Sequence, residues 1–146
     1  DLFNIKNPKV FAQTVGKYGA GRYGTIDMVS PLELKKLIEN KLNTKIIRTN
    51  EYFENMAEID KIAVLPGSGT QFMEEILDIA QVFITGVMWD RYLFKADVEM
   101  MGLFVFCDIS SEIPGMRKFV EKFNKFMELE INYVYKDFYE WTIFTQ

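Results

Sequence analysis

Three short apolar runs, KIAVL (61–65), VFIT (82–85) and LFVFC (103–107), recur along this chain with helix-period segments between them. Strands that are apolar throughout have both faces buried, and connections long enough to hold a helix let such strands run parallel. The pattern predicts an α/β fold, mostly parallel at its centre, with helices on both faces of the sheet. At 146 residues the chain can bury that core without cross-links.

The segments around these runs have their own signals. Ser30-Pro31-Leu32-Glu33 is a helix start: serine caps, proline suits the first helical position, and Glu33 stands where a capping box needs it. Leu34, Leu37, Ile38 and Leu42 continue it at helical spacing. Residues 45–49 read as a short strand and 51–60 as a polar loop. Helical patterns follow in Phe72, Met73, Ile76, Leu77 and Ile79, then from Asp90 to Met101 before Gly102. A further one runs from Pro114 to Met127. Ile131 to Tyr135 alternates like a strand, and the aromatic tail to Phe144 can cover a core edge or form a subunit contact.

Residues 1–24 read as a lead-in, with 25–146 as a single α/β domain. Asn7-Pro8 favours a turn, and Gly16, Gly19, Gly21 and Gly24 punctuate a flexible stretch. No clear strand precedes those glycines and no helix opens after them, so a dinucleotide fingerprint is disfavoured. The chain opens on Asp1, the expectation being a trimmed or partial product.

Composition removes whole classes of function. There is no histidine, which excludes His-dependent triads and zinc motifs. A net charge of -4 argues against nucleic acid as a partner. No run is long and apolar enough for a membrane span, and no basic region precedes an apolar one as in a signal peptide. The single cysteine, Cys107, follows four apolar residues and reads as a core residue; a reducing, cytoplasmic setting is the expectation.

Ligands in such sheets bind beyond the carboxyl ends of the strands, which singles out three loops. In the first, Gly67, Ser68 and Gly69 can offer backbone N–H groups to an anion, with Ser68 and Thr70 adding hydroxyls. A tight turn with a helix cap explains the same residues. In the second, Thr85 ends a strand and Asp90 caps the helix that follows. In the third, Asp108 and Glu112 are four residues apart. One helical turn there would place both carboxylates on one side, where they repel without a cation such as Mg, Ca or Mn. From spacing alone the simpler reading prevails: Asp108 starts a turn, with Ser110 or Ser111 and Glu112 leading into a helix at Pro114.

Taken in order, GAGRYG (Gly19–Gly24), SPLELKKLIENKL (Ser30–Leu42), KIAVLPGSGTQFMEEI (Lys61–Ile76), VFITGVM (Val82–Met88) and CDISSEIPGMRKFVEKF (Cys107–Phe123) resemble the dinuclear metal-centre family known as GTP cyclohydrolase I type 2 homologues. The resemblance extends from Gly19 to about Tyr135, and the strand–GSG–helix segment followed by the ITG strand is its most specific part. It implies a two-half molecule with a metal pair between the halves, of which this chain matches the second. On that pattern Glu112 matches a family glutamate, while Asp108 stands where a histidine is usual. Val87 replaces a frequent acidic residue, and Arg91 falls near another histidine position.

The implied activity is that of a metal-dependent hydrolase acting on a small nucleotide-like or phosphorylated molecule. Asp108 and Glu112 would hold a divalent metal, while Gly67, Ser68, Gly69 and Thr85 would meet the ligand. The competing expectation is a non-catalytic binding or assembly module that kept the fold and lost the metal chemistry. A ring-like homo-oligomer is implied in either case.

Overall fold

A computed structural model describes residues 3–44, 48–128 and 131. Its elements are β1 (Lys6–Val15), β2 (Tyr18–Val29), α1 (Pro31–Leu42), β3 (Arg48–Thr49), α2 (Glu51–Glu54), β4 (Ile59–Ser68), a 3-10 helix (Thr70–Glu75), β5 (Val82–Val87), α3 (Asp90–Val98), β6 (Gly102–Val105) and α4 (Asp108–Met127). The six strands form one sheet in the order β1-β2-β4-β5-β6-β3. The central β4, β5 and β6 are parallel, as expected, and the outer pairings are antiparallel. The chain divides into two compact units, Asp1–Ile113 and Pro114–Gln146. The sheet and the residues considered below as a site belong to the first.

Alternation along the buried strands sorts their side chains into two cores. Ala63, Leu65, Phe83, Leu103 and Val105 join Met73, Ile76 and Ala96 on one face of the sheet. Ile62, Val82, Ile84 and Phe104 join Leu34, Ile38 and Phe53 on the other. Each strand therefore feeds both faces, which is why the runs carry no polar alternation.

α1 begins as its sequence dictates. Ser30 is the N-cap, its hydroxyl accepts from the Glu33 N–H, and the Glu33 carboxylate accepts from the Ser30 N–H. Asn50, buried beneath α2, donates to Asp97 and to the Met101 carbonyl while accepting from the N–H of Leu103. That side chain ties α2 to the start of β6.

Several expectations are corrected. Residues 6–24, read as a lead-in, are two strands of the sheet: Arg22, Tyr23 and Gly24 pair with Val64, Ala63 and Ile62. Asn7-Pro8 makes a bulge inside β1, where an absent proline N–H does least harm. The polar stretch 51–60 contains α2 and the start of β4. Only a 3-10 helix follows Gly69 in place of the longer helical pattern. α3 ends at Val98, and Met100 adopts a left-handed φ of 54° before β6. Asp90 does not cap α3; Trp89 holds that position, and the Asp90 carboxylate pairs with Arg48. α4 starts at Asp108, six residues before the proline expected to open it.

Of residues 45–49 only Arg48–Thr49 is strand, and 45–47 lie outside the described residues. So do the expected strand beyond Ile131 and the aromatic tail. Among the described residues no helix is long and apolar enough to cross a membrane.

Candidate functional site

Because β4, β5 and β6 are parallel, the three loops after them lie along the same edge of the sheet. Gly67 is where they meet. Its N–H donates to the Ser111 hydroxyl at 2.7 Å, and its carbonyl accepts from the Thr85 hydroxyl at 3.1 Å. Ser111 in turn donates to the Asp108 carbonyl, and its own N–H closes the first turn of α4 on Cys107. The Gly69 N–H reaches the Val87 carbonyl at 3.1 Å, and the Trp89 N–H reaches the Thr70 hydroxyl at 3.3 Å. One corner thus holds a residue from each strand end.

Glycine is required at two places in this corner. Gly67 has a φ of +75°, a left-handed backbone that other residues adopt only with strain. At Gly86 a side chain would stand 2.5 Å from the Ser111 hydroxyl and 2.9 Å from both the Asp108 Cα and the Gly67 carbonyl. Backbone atoms press on it from two elements, so nothing larger fits.

Of the two arrangements open to the acidic side chains, the structure has the helical turn. Residues 108–112 form the first turn of α4, so Asp108 and Glu112 project to one side. A Cβ on Gly67 would meet Glu112 Oε1 at 2.8 Å and Asp108 Oδ1 at 3.8 Å, so both carboxylates converge on the Cα of that glycine. Both residues are exposed, and neither takes part in an ion pair among the described residues. In kind this donor set suits a hard divalent cation, which takes carboxylate oxygens and completes its shell with water. In number it is a partial set: among the described residues no three His, Cys, Asp or Glu side chains gather closely enough to hold a metal.

The expected anion cradle is arranged otherwise. The Gly67 and Gly69 amides are spent inside the corner, and the buried Thr85 hydroxyl holds Gly67 in place. Ser68 is exposed. Val87 ends β5, and the Arg91 guanidinium lies over the rings of Trp89 and Tyr92, 4.7 and 5.1 Å from their centroids. Ser111 is the residue that sequence reasoning undervalued. Its signal was its place one helical turn after Cys107, visible only once the helix is known to begin at Asp108.

Comparison with known proteins gives the relationship. The sequence model of the Duf34/NIF3 (NGG1p interacting factor 3) family matches residues 1–138. The fold is similar to that of hypothetical protein SA1388 from Staphylococcus aureus, with a TM-score of 0.75 at 15% identity over 96% of this chain and 61% of that one. It is similar to reduced HcgD from Methanocaldococcus jannaschii, with a TM-score of 0.71 at 24% identity over 89% of this chain and 50% of that one. A Bacillus cereus protein related to NIF3 gives 0.67 at 17% identity, over 83% of this chain and 35% of that one. The chain therefore spans 61% or less of the length of these structures.

Proposed function

This chain belongs to the Duf34/NIF3 family, and on that premise we propose that its Asp108–Glu112 turn contributes two oxygen ligands to a divalent-cation site of a larger molecule. The observation that carries the reading is the convergence of both carboxylates on Gly67 without a basic partner among the described residues. Like charges on successive turns of one helix repel, and a cation removes that repulsion. The remaining ligands come from outside the described residues, in keeping with a chain that spans about half of its structural relatives.

The finer reading is a GTP cyclohydrolase I type 2-like hydrolase of a small nucleotide-like or phosphorylated substrate. A divalent cation, when bound, supplies Lewis acidity for such hydrolysis. The chain's own part is positional. Ser111 and Thr85 hold Gly67, Gly67 leaves room for the carboxylates, and the exposed Ser68 hydroxyl donates to an anionic group of the substrate. The second reading, an assembly module without chemistry, is favoured by the shortage of a third ligand among the described residues.

Calorimetric titration with manganese decides between them. The first reading expects saturable binding that Glu112→Gln or Asp108→Asn weakens by about tenfold or more. Parent protein that takes up none of manganese, magnesium, zinc or iron, or variants that bind as the parent does, would overturn it and leave the assembly module.

A further inference from the structure

A second concentration of charge, of opposite sign, lies toward the other end of β4. Lys6, Lys9 and Lys61 line a cavity of about 300 Å³ together with Tyr23, Thr25 and Ile79. Their grouping follows from the register. Thr25 of β2 pairs with Lys6 on one side and with Lys61 on the other, so these three side chains rise in a row from one face of the sheet. Lys9 pairs with Tyr23, two residues along β2 and on the same face.

In a regular strand residues 6 and 9 would point to opposite faces. Here three steps along β1 match two along β2, and that bulge returns both lysines to one side. Asn7, with φ at 48°, and Pro8, which lacks an N–H, are residues suited to form it. The irregularity in β1 therefore has a consequence: it gathers ammonium groups that an ideal hairpin would separate.

The charges are poorly compensated. Lys6 pairs with Asp27, but among the described residues Lys9 and Lys61 take part in no ion pair. This occurs in a chain of net charge -4, where carboxylates outnumber ammoniums. Tyr23 is fixed by its edge-to-face contact with Phe11 at 6.3 Å, and Ile79 supplies an apolar wall. Lysines act as point-charge binders of phosphate, while the Tyr23 and Thr25 hydroxyls can donate to its oxygens. The volume lies at the lower end of small-molecule pockets, roughly 300–1,000 Å³, which favours a compact ligand over a large cofactor.

We propose that this cavity binds the phosphoryl groups of a small soluble phosphate ester or diphosphate, independently of the Asp108–Glu112 corner. Inorganic pyrophosphate is the probe, titrated into the protein at low salt with amide shifts and heat as readouts. The parent binds saturably, with the Thr25 and Lys61 amides moving first. The K9Q/K61Q double variant, folded by its unchanged melting curve, loses at least about tenfold in affinity. K36Q/K41Q, which removes two exposed α1 lysines, leaves it unchanged, as does E112Q. Equal binding by K9Q/K61Q, an equal loss in K36Q/K41Q, or no binding by the parent would each overturn the assignment. So would sedimentation with phosphatidic acid vesicles in the absence of pyrophosphate binding, which would move the source to a membrane headgroup.

Discussion

The two halves of β4 use charge in opposite ways. At its C-terminal end the backbone donors of Gly67 and Gly69 are consumed by Ser111 and Val87, and two carboxylates have no basic partner among the described residues. Toward its N-terminal end β4 pairs with β2 through a register shift between Thr25 and Val29, and the bulge in its neighbour's neighbour, β1, collects lysines. In the first region a tight hydrogen-bonded corner fixes the charges; in the second a displaced register does. Satisfied backbone marks the scaffold in both, and uncompensated side-chain charge marks the candidate site.

The comparison is most easily broken at the corner. Gly86→Ala forces a methyl against backbone of two elements, and we expect a loss of about 3 kcal/mol or more in urea denaturation. A loss below about 1 kcal/mol would mean that the corner is soft. Ser111→Ala strands the buried Gly67 N–H and should cost about 1–3 kcal/mol by the same measurement. It should also blunt manganese binding, whereas pyrophosphate binding should not change.

Smaller effects sharpen the contrast. Without divalent cation, Glu112→Gln relieves a like-charge pair and should stabilise by about 0.2–0.5 kcal/mol. Added manganese should reverse that order, because only the parent gains from it; melting curves with and without the ion check both signs. The smallest effect concerns a carboxylate whose partners are built in. The Ser30 backbone N–H and then the Ser30 hydroxyl hold Glu33 below its ordinary pKa; partial desolvation opposes them, and Lys36 adds a weaker lowering. The folded state thus binds this proton less readily than the unfolded one. Its contribution is present above the ordinary carboxylate range and is lost as pH falls through the lowered folded value. Glu33→Gln, which removes the titrating group, should flatten that acid limb in a pH series of urea midpoints, and Ser30→Ala, which keeps the backbone donor, should flatten it only in part.

Local signals were enough for α1, whose cap, proline and capping-box glutamate act within four residues. They were also enough for the cores of β4, β5 and β6, where continuous apolar runs have no alternative to burial. They failed for residues 6–24 because glycines read as flexibility when the partner strand is out of view. Gly21 in fact lies beneath the Phe11 ring, which occupies the space its side chain would need. They failed at α4 because Pro114 is an ordinary first-turn residue, whereas the true first turn is closed by the Ser111 N–H on Cys107. The pairing of Asp108 with Glu112 was legible from their spacing, although spacing alone favoured a looser lead-in over the helical turn.

By itself, then, the order of residues determined the elements whose causes are short-range: one capped helix, three doubly buried strands, and an i to i+4 carboxylate pair waiting for a helix. Only the tertiary structure decided which groups meet. Gly67 lies between Thr85 and Ser111, 18 and 44 residues away in sequence, because parallel strands bring their ends to one edge. Lys9 and Lys61 line one cavity because a bulge and two antiparallel ladders intervene between them. Contacts of that range depend on register and strand order, and no local preference encodes either.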